Sequence, residues 1–182
     1  MKAELENKLI EKYPNFFKNR TKSPKESLMC FGCECGDGWF KILENFCGYA
    51  DTLTKSRNFR VKLKDELKTE ENRGVLTFGC PQVVFDQIKE KYGTLRIYWH
   101  FEPIEDYEVL KSKLQDPKAL DAQIEKFSQI IEAAVEFSEY LSSVTCEITG
   151  KPGKLYTNGW CVTLCPEEAI KRFGFEPDEI EI

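Results

Sequence analysis

The chain has one histidine, no surplus of positive charge and no long apolar run, and each shortage removes a class of function. With 26 Lys and Arg against 31 Asp and Glu, its formal charge is −5. Such a balance argues against a general duplex-DNA or anionic-membrane binder, whose affinity comes from many cationic contacts. No apolar run approaches the roughly 18 to 20 residues of a membrane span. The opening Met-Lys-Ala-Glu-Leu-Glu-Asn-Lys lacks the charged-then-apolar layout of a signal peptide. A reducing cytoplasm is the expected location. The eight cysteines in 182 residues fall below the roughly 8 to 10% of a secreted disulfide scaffold. Buried thiols, a metal site or a nucleophile are the readings that remain.

A composition 41% hydrophobic and 31% charged is that of a globule with one domain, or a core with a small appendage. At this length folding buries roughly 70% of the exposed surface, so a stable core requires no disulfide or metal.

Leu5, Leu9 and Ile10 share one face of a helix over residues 2–13, which Pro14 ends. Residues 18–25 (KNRTKSPK) read as a basic, solvated loop. Trp39, Leu43, Phe46 or Cys47, Ala50 and Leu53 predict a helix from about Gly38 to Leu53, with Asp37 as its N-cap. Phe59, Val61 and Leu63 alternate as in a half-buried strand. Leu95, Ile97, Trp99 and Phe101 define one face of a second strand, and Arg96, Tyr98 and His100 the other. Residues 81–93 fit a helix or a hairpin, the hairpin slightly better. From Asp116-Pro117 a stripe through Leu120, Ile124, Phe127, Ile131, Ala134 or Val135, Ser138 and Leu141 predicts a helix to Ser143. The C-terminal part predicts a strand near Leu155, an Asn158-Gly159 turn, a strand over Trp160–Leu164 and a helix after Pro166.

The expected architecture is a single α+β domain. A small antiparallel sheet, built from Phe59–Leu63, the hairpin through Phe101 and the ribbon strands, is packed by two main helices. Residues 1–144 form the core, with 1–25 as N-terminal helix and basic linker. Residues 145–175 form a ribbon-like hairpin with a short helix, and 176–182 an acidic tail.

Three blocks stand out: CGDGW at Cys35–Trp39, QIKEKYGTLRIYW at Gln87–Trp99, and the ribbon from Cys146 to Cys165. In order and content they resemble a family of small, largely hypothetical proteins of bacteriophage and bacterial genomes. That family carries CGDGW, then QVKEKFGxLRFY, then CxxCGxPG…GWxxTLCxxH, and the resemblance spans most of Cys35 to Ala169. It implies a viral or mobile-element origin, and it lends no reaction. In the family pattern the ribbon resembles a four-ligand zinc site. Here Cys146 and Cys165 match, whereas Thr149 stands at the second cysteine and Glu168 at the final histidine. The ribbon therefore reads as a degenerate, metal-free hairpin packed by Trp160, Leu155 and Leu164. Bound zinc, with Cys161 or water completing the set, is the alternative.

Cys30, Cys33, Cys35 and Cys47 invite a second metal reading, against plain thiols near a helix start. Cys35, just before a helix N-terminus, is a candidate nucleophile, with His100 as the only base on offer. Gly36-Asp37-Gly38 can bind phosphate through backbone N–H groups, but Asp37 as a cap competes for them. Lys89, Lys91 and Arg96, with Arg60 and Lys62, supply cations beside Tyr92, Tyr98 and His100, a mixture suited to an anion or nucleotide. The expected function is a non-enzymatic phage-type binding protein that sequesters or blocks a host component, in a counter-defence role. Its partner is a small anionic, nucleotide-like ligand or a host protein, bound by Trp39, Gln87, Lys89, Lys91, Arg96 and Tyr98 without a cofactor. One alternative is a hydrolase of nucleotides or nucleic acid, cysteine- or metal-dependent, using Cys35, Asp37 and His100. Another is a nucleic-acid accessory protein with a degenerate zinc ribbon.

Overall fold

The chain folds as an α+β domain in which helices cover small sheets. The computed structural model describes residues 1–56, 59–157 and 159–174. Asn158 of the expected turn and the acidic tail at 176–182 lie outside the described residues.

Helix α1 (Ala3–Lys12) buries Leu9 and ends before Pro14, as its stripe and the proline dictate. The segment read as a solvated loop instead starts as a 3-10 helix, Pro14–Thr21. Phe16 and Phe17 sink into the core there, Phe17 meeting Phe85 edge-on at 5.0 Å. Asn19 is buried with its amide on the Phe85 carbonyl, and Arg20 holds Glu6 at 2.7 Å. Only 22–25 of that basic stretch is fully exposed loop.

The main sheet has the order β1–β4–β5. Its strands are β1 (Cys33–Glu34), β4 (Val83–Lys91) and β5 (Thr94–Phe101), with β1 parallel and β5 antiparallel to β4. Residues 81–93 thus take the hairpin conformation. Helix α2 (Phe40–Lys55) and helix α4 (Lys118–Ser143) enclose the core. Leu43, Phe46, Phe127 and Ile131 of these helices meet Phe85, Ile88, Leu95 and Ile97 of the sheet in one buried cluster. Helix α4 also runs along the free side of β5. Ser142 Oγ accepts the Leu95 N–H at 2.8 Å, and the Glu139 carboxylate accepts that of Ile97.

The strands do not assemble into one sheet. β2 (Phe59–Lys62) and β3 (Val75–Phe78) pair only with each other, because α4 already occupies the side of β5 to which β2 would add. Phe59 instead packs against Phe127 of α4, the rings tilted by 58° with centroids 4.1 Å apart. A short helix α3 (Tyr107–Ser112) leads to Leu114, which bridges Leu63 and closes a small cluster with Val61 and Leu120. The ribbon is β6 (Lys154–Tyr156) against β7 (Val162–Leu164), followed by helix α5 (Pro166–Phe173). Its core is Cys146, Tyr156, Val162, Leu164, Cys165 and Ala169. Trp160, expected to pack this hairpin, is 69% exposed, because Tyr156 and Phe173 fill the place. Among the described residues no helix is long and apolar enough to cross a membrane.

Candidate functional site

The three sequence blocks meet, and their meeting explains most of their glycines. A side chain at Gly38 would collide with the Cys146 carbonyl and the Gly150 amide, and one at Gly36 with the Glu147 backbone. The Gly38 amide donates to the Glu147 carbonyl at 2.7 Å, and the Gly36 amide to the Glu147 carboxylate at 2.9 Å. Trp39 is fully buried, and its indole N–H donates to the Thr145 carbonyl at 2.8 Å. Trp39 is therefore the bolt between core and ribbon, and it leaves the set of ligand-binding residues. Asp37 does not cap the helix. Its carboxylate accepts the Lys2 amide at 2.7 Å and pairs with the Lys2 ammonium, and these bonds hold it below the usual carboxylate range. The helix begins two residues later than a cap at Asp37 requires, after a short 3-10 turn.

The remaining predicted residues divide between two places. Gln87, Lys89, Arg96 and Tyr98 lie in facing pairs on β4 and β5, Gln87 opposite Tyr98 and Lys89 opposite Arg96. A bulge at Asp86 shifts this register and turns the Asp86 carboxylate toward His100, 2.8 Å from Nδ1. Beside these residues opens a cleft of about 600 Å³. Gln87, Tyr98, Asp86 and Trp99 form one wall, and Pro24–Leu28 the other. Its acids already have partners. Glu26 accepts the Ser23 hydroxyl at 2.6 Å and the Ser23 amide, which lower its pKa, and Asp86 holds His100. Lys89 stands over the Tyr98 ring, Nζ 5.3 Å from its centroid, and Lys25 lines the opposite wall. Cations and an aromatic face are thus the groups left for a ligand. Arg96 contributes less than its charge suggests, because Glu139 binds it at 3.2 Å together with the Thr94 hydroxyl and Leu95 carbonyl.

Lys91 lies elsewhere, at the hairpin turn beside Tyr92, and Arg60 and Lys62 lie on the separate β2–β3 pair. The Asp86–His100 pair escapes sequence reading, because only the bulge brings the two side chains together. An apolar groove of about 570 Å³ also runs between α2 and α4, lined by Ile42, Phe46, Tyr49, Ile130, Phe137 and Leu141. Its polar lining is Asn45 and Ser138, and the Ser138 hydroxyl already donates to the Ala134 carbonyl, so it offers few groups to orient a small ligand.

The cysteines separate by environment. Cys35 is buried, and burial pushes its thiol up to about 12, so it is neutral at physiological pH. Burial also raises Cys33, Cys47 and Cys80. The hydrolase residues are not assembled: Cys35 is sealed, Asp37 binds Lys2, and His100 faces Asp86 on the outer side of the sheet. In the ribbon, burial raises Cys146 but donors outweigh it. The Thr149 hydroxyl and the amides of Cys165, Thr149 and Ile148 bring its pKa below the ordinary thiol value. Cys165 is raised, by burial first and then by Glu167. The Thr149 hydroxyl lies 3.6 Å from Cys165 Sγ, and Glu168 is bound to Lys171. Two thiols, a threonine and an engaged glutamate do not fit a four-ligand zinc site. Among the described residues no group of three or more His, Cys, Asp or Glu is arranged to hold a metal.

Compared with protein families, curated proteins and solved structures, the chain finds no match.

Proposed function

We propose that the protein is a non-enzymatic binding protein of phage type, which sequesters or blocks a host component through the outer face of its main sheet. The observation that carries this reading is the cleft beside Gln87 and Tyr98. Its acids are already bonded, while Lys25 and the Tyr98 ring line it and Lys89 stands over that ring. That chemistry suits a small anion with a planar part, such as a nucleotide. The phage context comes from the three-block resemblance, and the buried, raised Cys35 favours binding over turnover.

Native mass spectrometry of protein purified without chelator tests the reading. A retained anionic molecule is expected in the wild type and absent from a Lys89→Ala/Tyr98→Ala variant of unchanged melting temperature. Equal retention by the variant overturns this surface. A bare wild-type protein overturns small-molecule sequestration and transfers the reading to a host protein.

A further inference from the structure

Two exposed aromatics remain after packing has accounted for the sequence blocks. Gly93 has φ 78° where the β4–β5 turn touches the ribbon beside Leu155, a left-handed conformation that favours glycine. Its carbonyl accepts the Thr163 hydroxyl at 2.6 Å, and its amide donates to Glu90 Oε1 at 2.6 Å. The Thr163 bond ties the turn to the ribbon, and the Glu90 bond braces the hairpin itself. Tyr92 and Trp160 take no part in this docking, being 68% and 69% exposed.

Tyr92, Trp160, Lys91, Glu90 and Cys161 line one cleft of about 310 Å³, at the lower end of the roughly 300 to 1,000 Å³ usual for small-ligand sites. The two aromatics come from different segments of the chain and line the same cleft, so a flat guest there meets both. Lys91 supplies the charge, its Nζ 5.3 Å from the Tyr92 centroid, while the Glu90 carboxylate is engaged by the Gly93 amide. Tyr92 also has φ 55°, a left-handed conformation that costs a bulky residue energy and suits asparagine or glycine. An exposed tyrosine held there contributes nothing to the core in return.

We infer that Tyr92 and Trp160 form a clamp for a nucleobase, with Lys91 binding the attached phosphate. This site is separate from the cleft at Tyr98 and does not rest on the reading of that surface. The shared chemistry is a base with its phosphate, supplied by a free nucleotide or by a single-stranded nucleic acid. The net charge of −5 favours the free nucleotide.

Calorimetric titration of the full chain with AMP, an oligodeoxyadenylate and inorganic phosphate tests the inference. AMP is expected to bind, and Tyr92→Ala or Trp160→Ala to weaken it about tenfold each, the scale of one lost base–aromatic stack. The titrations are run in the Lys89→Ala/Tyr98→Ala background, which removes the other cleft, and Tyr140→Ala, an exposed aromatic that lines neither cleft, is the control that leaves this binding unchanged. Tyr92→Asn separates recognition from folding: it removes the ring, relieves the left-handed tyrosine, weakens AMP and raises the melting temperature. An oligonucleotide that binds more tightly than AMP, with steep salt dependence, assigns the clamp to single strands. AMP as the tighter ligand assigns it to free nucleotides, and either result supports the inference. It is overturned if neither nucleotide binds, if phosphate alone binds as well as AMP, or if adding Tyr92→Ala/Trp160→Ala to that background leaves binding unchanged.

Discussion

The core and the ribbon each bury a group of thiols, and the two groups differ in what surrounds the sulfur. Cys33, Cys35 and Cys47 lie among hydrophobic side chains, and desolvation raises all three. Cys146 is no less buried, yet a hydroxyl and three backbone amides converge on it and reverse the sign. At Cys146 donors oppose burial, while its neighbour Cys165, raised by burial first, is not brought down by the donors it has.

The strongest way to break this comparison is to separate the regions. Gly38→Ala puts a methyl group against the Cys146 carbonyl and the Gly150 amide, backbone atoms that cannot swing aside. It should cost at least ~3 kcal/mol, read as a lower urea midpoint. A stability loss of under about half a kcal/mol would falsify the interlocked arrangement of Gly38 and the ribbon.

Alkaline pH sharpens the contrast. Unfolded thiols ionise from about pH 8.5, while the fold keeps Cys35 and Cys80 neutral up to about 12. Their contribution is complete below about pH 8.5 and declines as pH rises toward those folded values. Cys146 works in the opposite sense. Its thiolate contribution is present above the unfolded pKa and is lost as pH falls through the lower folded value. Denaturation from neutral to strongly alkaline pH should show a smaller stability loss in Cys35→Ser, and a larger one in Cys146→Ser.

A smaller change isolates one donor. Thr149→Val removes the hydroxyl at nearly constant shape and should raise the Cys146 pKa, because the thiolate loses one hydrogen-bond donor. Ultraviolet thiolate titration against a Cys146→Ser blank gives the shift, and an unmoved curve would show that the amides suffice. The smallest effect belongs to Asp37→Asn. It loses a surface pair to Lys2 and no helix cap, so thermal unfolding should report about half a kcal/mol or less. A loss nearer the roughly 1 kcal/mol typical of an N-cap would restore the capping role.

Local rules made the long elements legible. The stripe from Leu120 to Leu141 marked α4 because every third or fourth side chain faces one core, and Asp116 does bond the Lys118 amide at its start. Alternation from Leu95 to Phe101 likewise marked β5 and its two faces. Long-range docking was what the pattern hid. Phe16 and Phe17 precede polar residues, so the 3-10 helix that drives them against Phe85 gives no periodic signal. Trp39 and Trp160 look alike as letters. Thr145 accepts the first, 106 residues away, and Tyr156 and Phe173 displace the second from the ribbon core. Of the predicted surface, Gln87, Lys89 and Tyr98 share one face because strand alternation fixes them there, whereas only tertiary contacts tie down Arg96 and detach Lys91.

The side of β5 covered by α4 bears on how the molecule avoids its own copies. An uncovered strand edge is a template for pairing between chains, and hence for aggregation. Ser142 and Glu139 occupy two of the donors such a template would offer, and the strand at the opposite edge is only two residues long. Recognition by strand addition is closed along β5, so a partner there must be read through side chains. Sequence changes that shorten Ser142 or Glu139 would expose a sticky border while leaving both clefts intact.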